Sequence, residues 1–301
     1  MNDVIPFSGI YPMMYAFFGR DGSLDKEVMR RQVKAALRGR AHGIAVLGLA
    51  TEVSKLAGQE RRQLVEWVME DVAGAVPVAV TVSEPTIEAQ AAFANWAKGK
   101  GASWIILQPP PERGMPEAWY VDFFAGVMER TEALCAVQNA PEYIGVGLSP
   151  KSIRALKDRC PNFALLKGEG PVLNIRRVIE ALEGKLAVFN GRGGLELPDN
   201  LRAGCAGMIP ATDTFDYQVK IFELMRRGGD DERAAEAIYQ QILPAIVFTL
   251  QSLDTLICYG KRIAAQRLGV SEVHDRAPVL QPTDFGLSCA RRYADTLGRL
   301  G

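Results

Sequence analysis

Lys167 and Glu169 stand two positions apart in FALLKGEGP, residues 163–171. Phe163, Ala164, Leu165 and Leu166 form an apolar run with no room for a helical face, and Gly168 and the Gly170-Pro171 pair stop it. The stretch therefore predicts a short buried strand. Side chains alternate across a strand, so Lys167 and Glu169 point the same way, an ammonium beside a carboxylate. A lysine at the end of an apolar strand either snorkels to water in a surface salt bridge or is held desolvated. Desolvation favours the free amine, which attacks carbonyls.

Other chemistries find little support in the composition. The chain has 301 residues, 48% hydrophobic and 23% charged, enough for a large core in one large domain or two ordinary ones. Thirty-five basic residues balance 35 acidic ones without a block of like charge, which argues against nucleic acid or an anionic membrane surface as partner. Only two histidines occur, His42 and His274, which disfavours a histidine-rich metal site or a Ser-His-Asp triad. His42, in RGRAHG, reads as a turn residue, and His274 lies in a polar loop. Five scattered cysteines, with no Cys-x-x-Cys pair, read as reduced or buried thiols of a cytoplasmic protein. The opening MNDVIPFSGIYP lacks the basic and apolar regions of a secretory signal. The most apolar long stretch, 243–259, is interrupted by Gln251 and Asp254 and falls short of a membrane span.

The elements that must position the pair follow from alternating periodicities. Apolar strand-like runs fall at 10–17, 43–47, 76–82, 104–108, 134–137, 163–167, 186–189 and 207–210. Helical patterns lie between and after them at 24–38, 58–72, 86–98, 116–130, 149–159, 172–182, 195–203 and 214–227. Strand-helix units in this number, with strands apolar on both faces, predict an α/β chain folded as a (β/α)8 TIM barrel, an open doubly wound sheet being the main competitor. Ser149-Pro150 reads as an N-cap with proline at the first helical position, and Pro171 opens another helix. Gly228-Gly229 ends the last barrel helix, so residues 1–228 form the barrel and 229–301 a C-terminal helical extension with helices at 231–249, 253–268 and 283–300.

In such a barrel the C-terminal strand ends surround one pocket. Strand two runs into GLATEVSK, where Ala50, Thr51 and their amides hold a carboxylate or simply turn the chain toward the next helix. QPPPERG after strand four is a stiff proline loop that either lines the pocket or, as expected, makes a turn. VQNAPEYIGVG at strand five offers Gln138, Asn139 and Tyr143 for substrate hydroxyls. FNGRGG at strand seven offers Arg192, suited to bidentate capture of a carboxylate or polyol, or else solvated at the surface. MIPATDT at strand eight brings Pro210 to the pocket, with Thr212 and Asp213 either beside it or, as expected, capping the next helix.

A carboxylate-binding turn after strand two, Asn-x-Pro on strand five, a single strand-six lysine and a glycine loop after strand seven resemble the dihydrodipicolinate synthase and N-acetylneuraminate lyase family. The resemblance runs from GIYPMMYAFF at Gly9 to the helices beyond Gly228. It implies a barrel enzyme, commonly a homotetramer, whose lysine, here Lys167, forms a Schiff base with the ketone of a small 2-oxo acid and needs no cofactor or metal. Two departures matter. The family's Gly-Thr-Thr-Gly-Glu is Gly48, Leu49, Ala50, Thr51 and Glu52 here, and its Tyr-Asn-x-Pro is Gln138, Asn139, Ala140 and Pro141, without the proton-shuttling tyrosine. VQNAP with LLKGEGP is similar to the 2-keto-3-deoxy-L-arabonate dehydratase branch, which carries Val-Gln-Asp-Ala-Pro and Lys-x-Glu.

The expected chemistry is dehydration of a 2-keto-3-deoxy sugar acid. Lys167 forms the iminium at C2, Glu169 takes the C3 proton and assists loss of the C4 hydroxyl, and Gln138 and Asn139 hold hydroxyls. Glu52 is a weaker base, since it faces the next helix. Retro-aldol cleavage, pyruvate condensation with an aldehyde, and a non-catalytic sugar-acid-binding barrel are the alternatives.

Overall fold

The computed structural model describes residues 7–300, so the expectation about a leader falls partly outside the described residues. The strands are β1 (Gly9–Ile10), β2 (Ile44–Val46), β3 (Val78–Val82), β4 (Trp104–Leu107), β5 (Cys135–Asn139), β6 (Phe163–Gly168), β7 (Ala187–Asn190) and β8 (Gly207–Met208). They form one all-parallel sheet in the order β1-β8-β7-β6-β5-β4-β3-β2. Met13 bridges to Ala45 on one side and to Ala211 on the other, and this closes the sheet into a (β/α)8 barrel. Nearly every strand residue is buried, as expected where helices cover the outside and side chains fill the inside.

The first strand is shorter than the expected 10–17. Regular pairing stops at Ile10 because Pro12 has no N–H to donate, and only its carbonyl continues, accepting from the Ala45 N–H at 3.0 Å. Beyond it the chain is pinned at single bridges, Met13 and Phe18. Closure needs glycine at 207, where a Cβ would stand 1.9 Å from the Gly9 carbonyl oxygen. Inside the barrel Tyr11, Trp104 and Phe189 pack edge to face or tilted, with ring centroids 5.3–5.7 Å apart.

Helix boundaries follow local chemistry. The Ser149 hydroxyl accepts from the Ser152 N–H, with Pro150 in the first turn of the helix Pro150–Arg159. Pro171 stands just before its helix, Val172–Leu182, rather than inside it. An unexpected one-turn helix, Pro141–Ile144, follows β5, and a 3-10 turn, Arg192–Gly194, follows β7. The last barrel helix, Phe215–Arg227, ends at Gly228, and Asp231–Thr249 packs back on it. A break at 250–252 leads to a helical stretch with a π turn at Leu256–Gly260, then Asp284–Leu297 closes the chain. Ile242, Ile246, Ile263 and Ala264 belong to the same apolar core as the strands. No single helix among the described residues is long and apolar enough to cross a membrane; Asp231–Thr249 and Leu253–Arg267 pass that test only as a pair, bent by 108°.

Candidate active site

The register of the sheet assembles the site. Lys167 pairs with Gln138 on β5 and with Phe189 on β7, so Lys167 and Gln138 belong to one layer. Lys167 is 4% exposed and Glu169 6%, which settles their placement: desolvated, not snorkelled. Lys167 Nζ lies 2.8 Å from Glu169 Oε1. Gln138 Nε2 donates to the same oxygen at 2.8 Å, and Gln138 Oε1 accepts from Gln108 Nε2 at 2.9 Å. Glu169 fits because residue 191 is glycine. A Cβ there would meet Glu169 Cγ at 2.5 Å.

A cleft over this pair is lined by Met13, Leu49, Ala50, Tyr143, Gly191, Arg192, Ile209, Pro210 and Ala211 from the strand ends, and by Leu250, Ser252, Leu253 and Leu256 from the C-terminal region. Of the residues expected here, Ala50, Tyr143, Lys167, Glu169, Arg192 and Pro210 are in the lining. Three lie elsewhere. Thr51 is fully buried with its hydroxyl donating to the Met14 carbonyl at 2.6 Å, while the Thr51 and Glu52 amides close the turn onto Gly48 and Leu49. Asn139 turns outward and spans the loop to Leu148, exchanging two hydrogen bonds with its backbone. Gln138 stands behind Glu169 and reaches the cleft through it.

Other strand-end residues also take structural roles. Thr212 and Asp213 do not cap the next helix: the Thr212 hydroxyl donates to the Met13 carbonyl at 3.1 Å, and Asp213 accepts from the Tyr15 hydroxyl at 3.1 Å. Both are drawn inward because they are buried, where an internal partner is worth more than a cap. Glu52 faces Lys55 of its own turn, and Lys261 from the C-terminal region meets its other oxygen. His42 is a strut: Nδ1 accepts from the Ile10 N–H and Nε2 lies 2.7 Å from Glu223. Arg192 is held by Glu196 at 3.1 Å, and its buried Nε makes no hydrogen bond but lies 3.8 Å from Glu142 Oε2. Burial raises the Tyr143 phenol above its ordinary pKa, partly offset by Arg192. All five cysteines are free and buried, and burial pushes the Cys135 and Cys205 thiols up to about 12, which removes them as nucleophiles.

The cleft wall from beyond residue 249 was missed in sequence. Its only signal is the polar break Gln251-Ser252 in an apolar stretch, which marks a helix junction but not where it docks.

A buried lysine and carboxylate at the C-terminal mouth of a parallel barrel is a layout for imine chemistry. The model of the dihydrodipicolinate synthetase family matches residues 6–285. The chain belongs to that family. Its members are lyases that work through a lysine Schiff base and need no external cofactor. Over 247 residues, 79% of this chain and 78% of the relative, it is 30% identical to L-2-keto-3-deoxyarabonate dehydratase of Azospirillum brasilense. It is 25% identical to 4-hydroxy-tetrahydrodipicolinate synthase of Methanopyrus kandleri over 97% of each chain. The crystal structure of the Escherichia coli K12 family member YagE in complex with pyruvate superposes with a TM-score of 0.86, covering 97% of this chain and 99% of that one. At 21% identity that likeness speaks for the fold.

Proposed function

We propose that the protein is a Schiff-base dehydratase of a 2-keto-3-deoxy sugar acid, resembling 2-keto-3-deoxy-L-arabonate dehydratase, with Lys167 as nucleophile and Glu169 as acid-base. The observation that carries this is the placement of one carboxylate oxygen of Glu169 2.8 Å from Lys167 Nζ and 2.8 Å from Gln138 Nε2. The carboxylate takes a proton from the ammonium, and the free amine adds to the C2 ketone. Loss of water, whose departing hydroxyl takes back the proton Glu169 removed from the ammonium, gives the iminium and restores the carboxylate. The iminium acidifies C3, Glu169 accepts that proton, and the enamine expels the C4 hydroxyl, which leaves as water with the proton Glu169 returns. Hydrolysis of the conjugated iminium frees Lys167. Arg192, Ala50 and Pro210 border the substrate, and Tyr143 and Ser252 offer hydroxyl partners.

Gln138 in the strand-five tyrosine position disfavours condensation of pyruvate with aspartate semialdehyde. Tyr143 in the cleft supports retro-aldol cleavage as the second reading, since its phenol can hydrogen-bond a substrate hydroxyl. A cytoplasmic homotetramer is the setting the family resemblance suggests.

The test is borohydride trapping with 2-keto-3-deoxy acids, followed by mass measurement, beside turnover. Adduct mass on the Lys167 peptide is expected, lost in Lys167→Ala. Glu169→Gln should still trap while kcat falls by about two to four orders of magnitude. Release of pyruvate and an aldehyde would establish cleavage instead. Efficient turnover of pyruvate with aspartate semialdehyde would restore the synthase reading. An untrapped wild type would leave a binding barrel.

A further inference from the structure

Behind the reacting pair lies a row of amides that runs from an outer helix to Glu169. Gln90, fully buried on the helix Ile87–Gly99, donates from Nε2 to the Glu84 carbonyl at 2.9 Å and to the Gln108 carbonyl at 3.0 Å. The Gln108 N–H donates to the Val82 carbonyl at 2.9 Å, so the residue just beyond β4 is tied on both sides of its peptide unit. Its side chain, 8% exposed, then donates to Gln138 Oε1 at 2.9 Å, and Gln138 Nε2 donates to Glu169 Oε1 at 2.8 Å.

An amide side chain has two distinguishable ends, and a flip exchanges donor for acceptor. Gln138 sits between a donor and an anion. With Gln108 Nε2 facing it, only one orientation is satisfied: oxygen toward Gln108, NH2 toward Glu169. Without that donor Gln138 Oε1 is left buried without a partner, and the amide is free to turn away from Glu169 and take its NH2 with it. Lys167 Nζ and Gln138 Nε2 both meet Oε1, and Oε2 has no protein partner among the described residues. Oε2 is thus the oxygen available to a C3 proton. The titratable groups sharing its cleft are Lys167, Tyr143 and Arg192; Gln138 and Gln108 are neutral donors behind it.

We propose that Gln108 is a positioning residue: it sets the amide orientation of Gln138 and, through it, the aim of Glu169. This rests on the assignment of Glu169 as the C3 base.

The experiment follows exchange of the pyruvate methyl protons in D2O by NMR, since the iminium and its C3 deprotonation are common to the dehydratase and aldolase readings. Wild-type enzyme should exchange. Gln108→Met should slow exchange roughly tenfold, the effect of one lost charge-linked hydrogen bond. The loss should fall on the maximal exchange rate, with the half-saturating pyruvate concentration unchanged within about twofold, because Gln108 lies behind the carboxylate and not against the substrate. Trapping at Lys167 should persist, and Gln108→Met/Gln138→Met should be no slower than Gln138→Met alone, the non-additivity of residues acting in series. Gln108→Glu, similar in size and checked by thermal melting, should also be slow. A wild-type exchange rate in either folded variant, a loss that falls on half-saturation instead, or additive losses, would overturn the role of Gln108 and leave Glu169 as base intact. A wild type that traps pyruvate but exchanges nothing would overturn both together.

Discussion

Gly191 shows how little room the proposed chemistry has. It sits after β7 with its backbone N–H donating to the Gly168 carbonyl at 2.9 Å, and its missing side chain is the space Glu169 occupies. Gly191→Ala places a methyl against Glu169 Cγ and must push the carboxylate away from Lys167. Misplacement by about 1 Å costs up to about a hundredfold in rate, so kcat should fall roughly 10- to 100-fold while borohydride trapping at Lys167 is retained. Steady-state kinetics beside adduct mass measures this. Unchanged kcat would mean that the carboxylate has slack, and that its position is not what limits turnover.

At the scale of elements, the turn after β2 is held from outside the barrel. Glu52 adopts a left-handed backbone, φ 56°, two positions after the cleft residue Ala50, and its carboxylate is shared between Lys55, 2.6 Å away, and Lys261. Both Glu52 and Lys261 side chains are fully buried. Removing one partner of a buried pair strands the other, at a cost of about 3–5 kcal/mol. Because Lys55 remains, Lys261→Met should destabilise by about 3 kcal/mol, at the low end of that range. The readout is a lower urea midpoint at unchanged slope. A loss under about 0.5 kcal/mol, the size of an ordinary surface effect, would assign the hold on this turn to Lys55 alone.

Across the whole molecule, barrel and C-terminal helices are stapled by polar groups as well as apolar packing. Arg267, 1% exposed, donates to the Asp213 carbonyl at 2.6 Å, grips Asp216 with both terminal nitrogens, and reaches the Gly298 carbonyl at 2.7 Å. The Asp213 side chain beside it is buried, and desolvation pushes its pKa up from 3.8 to about 6. A carboxyl with a raised folded-state pKa binds more protons folded than unfolded between these values. Its contribution therefore falls as pH rises from about 4 to about 6 and is constant above. Asp213→Asn lacks this titration. Its stability relative to wild type should improve between pH 4 and 7 by up to roughly 3 kcal/mol, two pKa units' worth. Urea unfolding of both proteins at the two pH values checks the sign; a pH-independent difference would rule out Asp213 as the titrating group.

Local pattern alone pointed to eight strand-helix units and favoured the barrel, and the bridges of Met13 to Ala45 and Ala211 decided it against an open doubly wound sheet. The pattern did determine that Lys167 and Glu169 share a face, because their spacing of two is a property of any strand. Long-range packing decided the rest. Thr51 and Asn139 carry the right groups at the right strand ends, yet their side chains satisfy backbone partners at Met14 and Leu148, which no local rule names. Gln108, read as part of a turn, is drawn to Gln138 thirty positions away by the β4–β5 pairing. The wall from Leu250 to Leu256 reaches the cleft because the chain bends at 250–252 and returns across the strand ends. Which buried polar group meets which partner depends on distances between elements far apart in the chain, and those exist only after the core has packed.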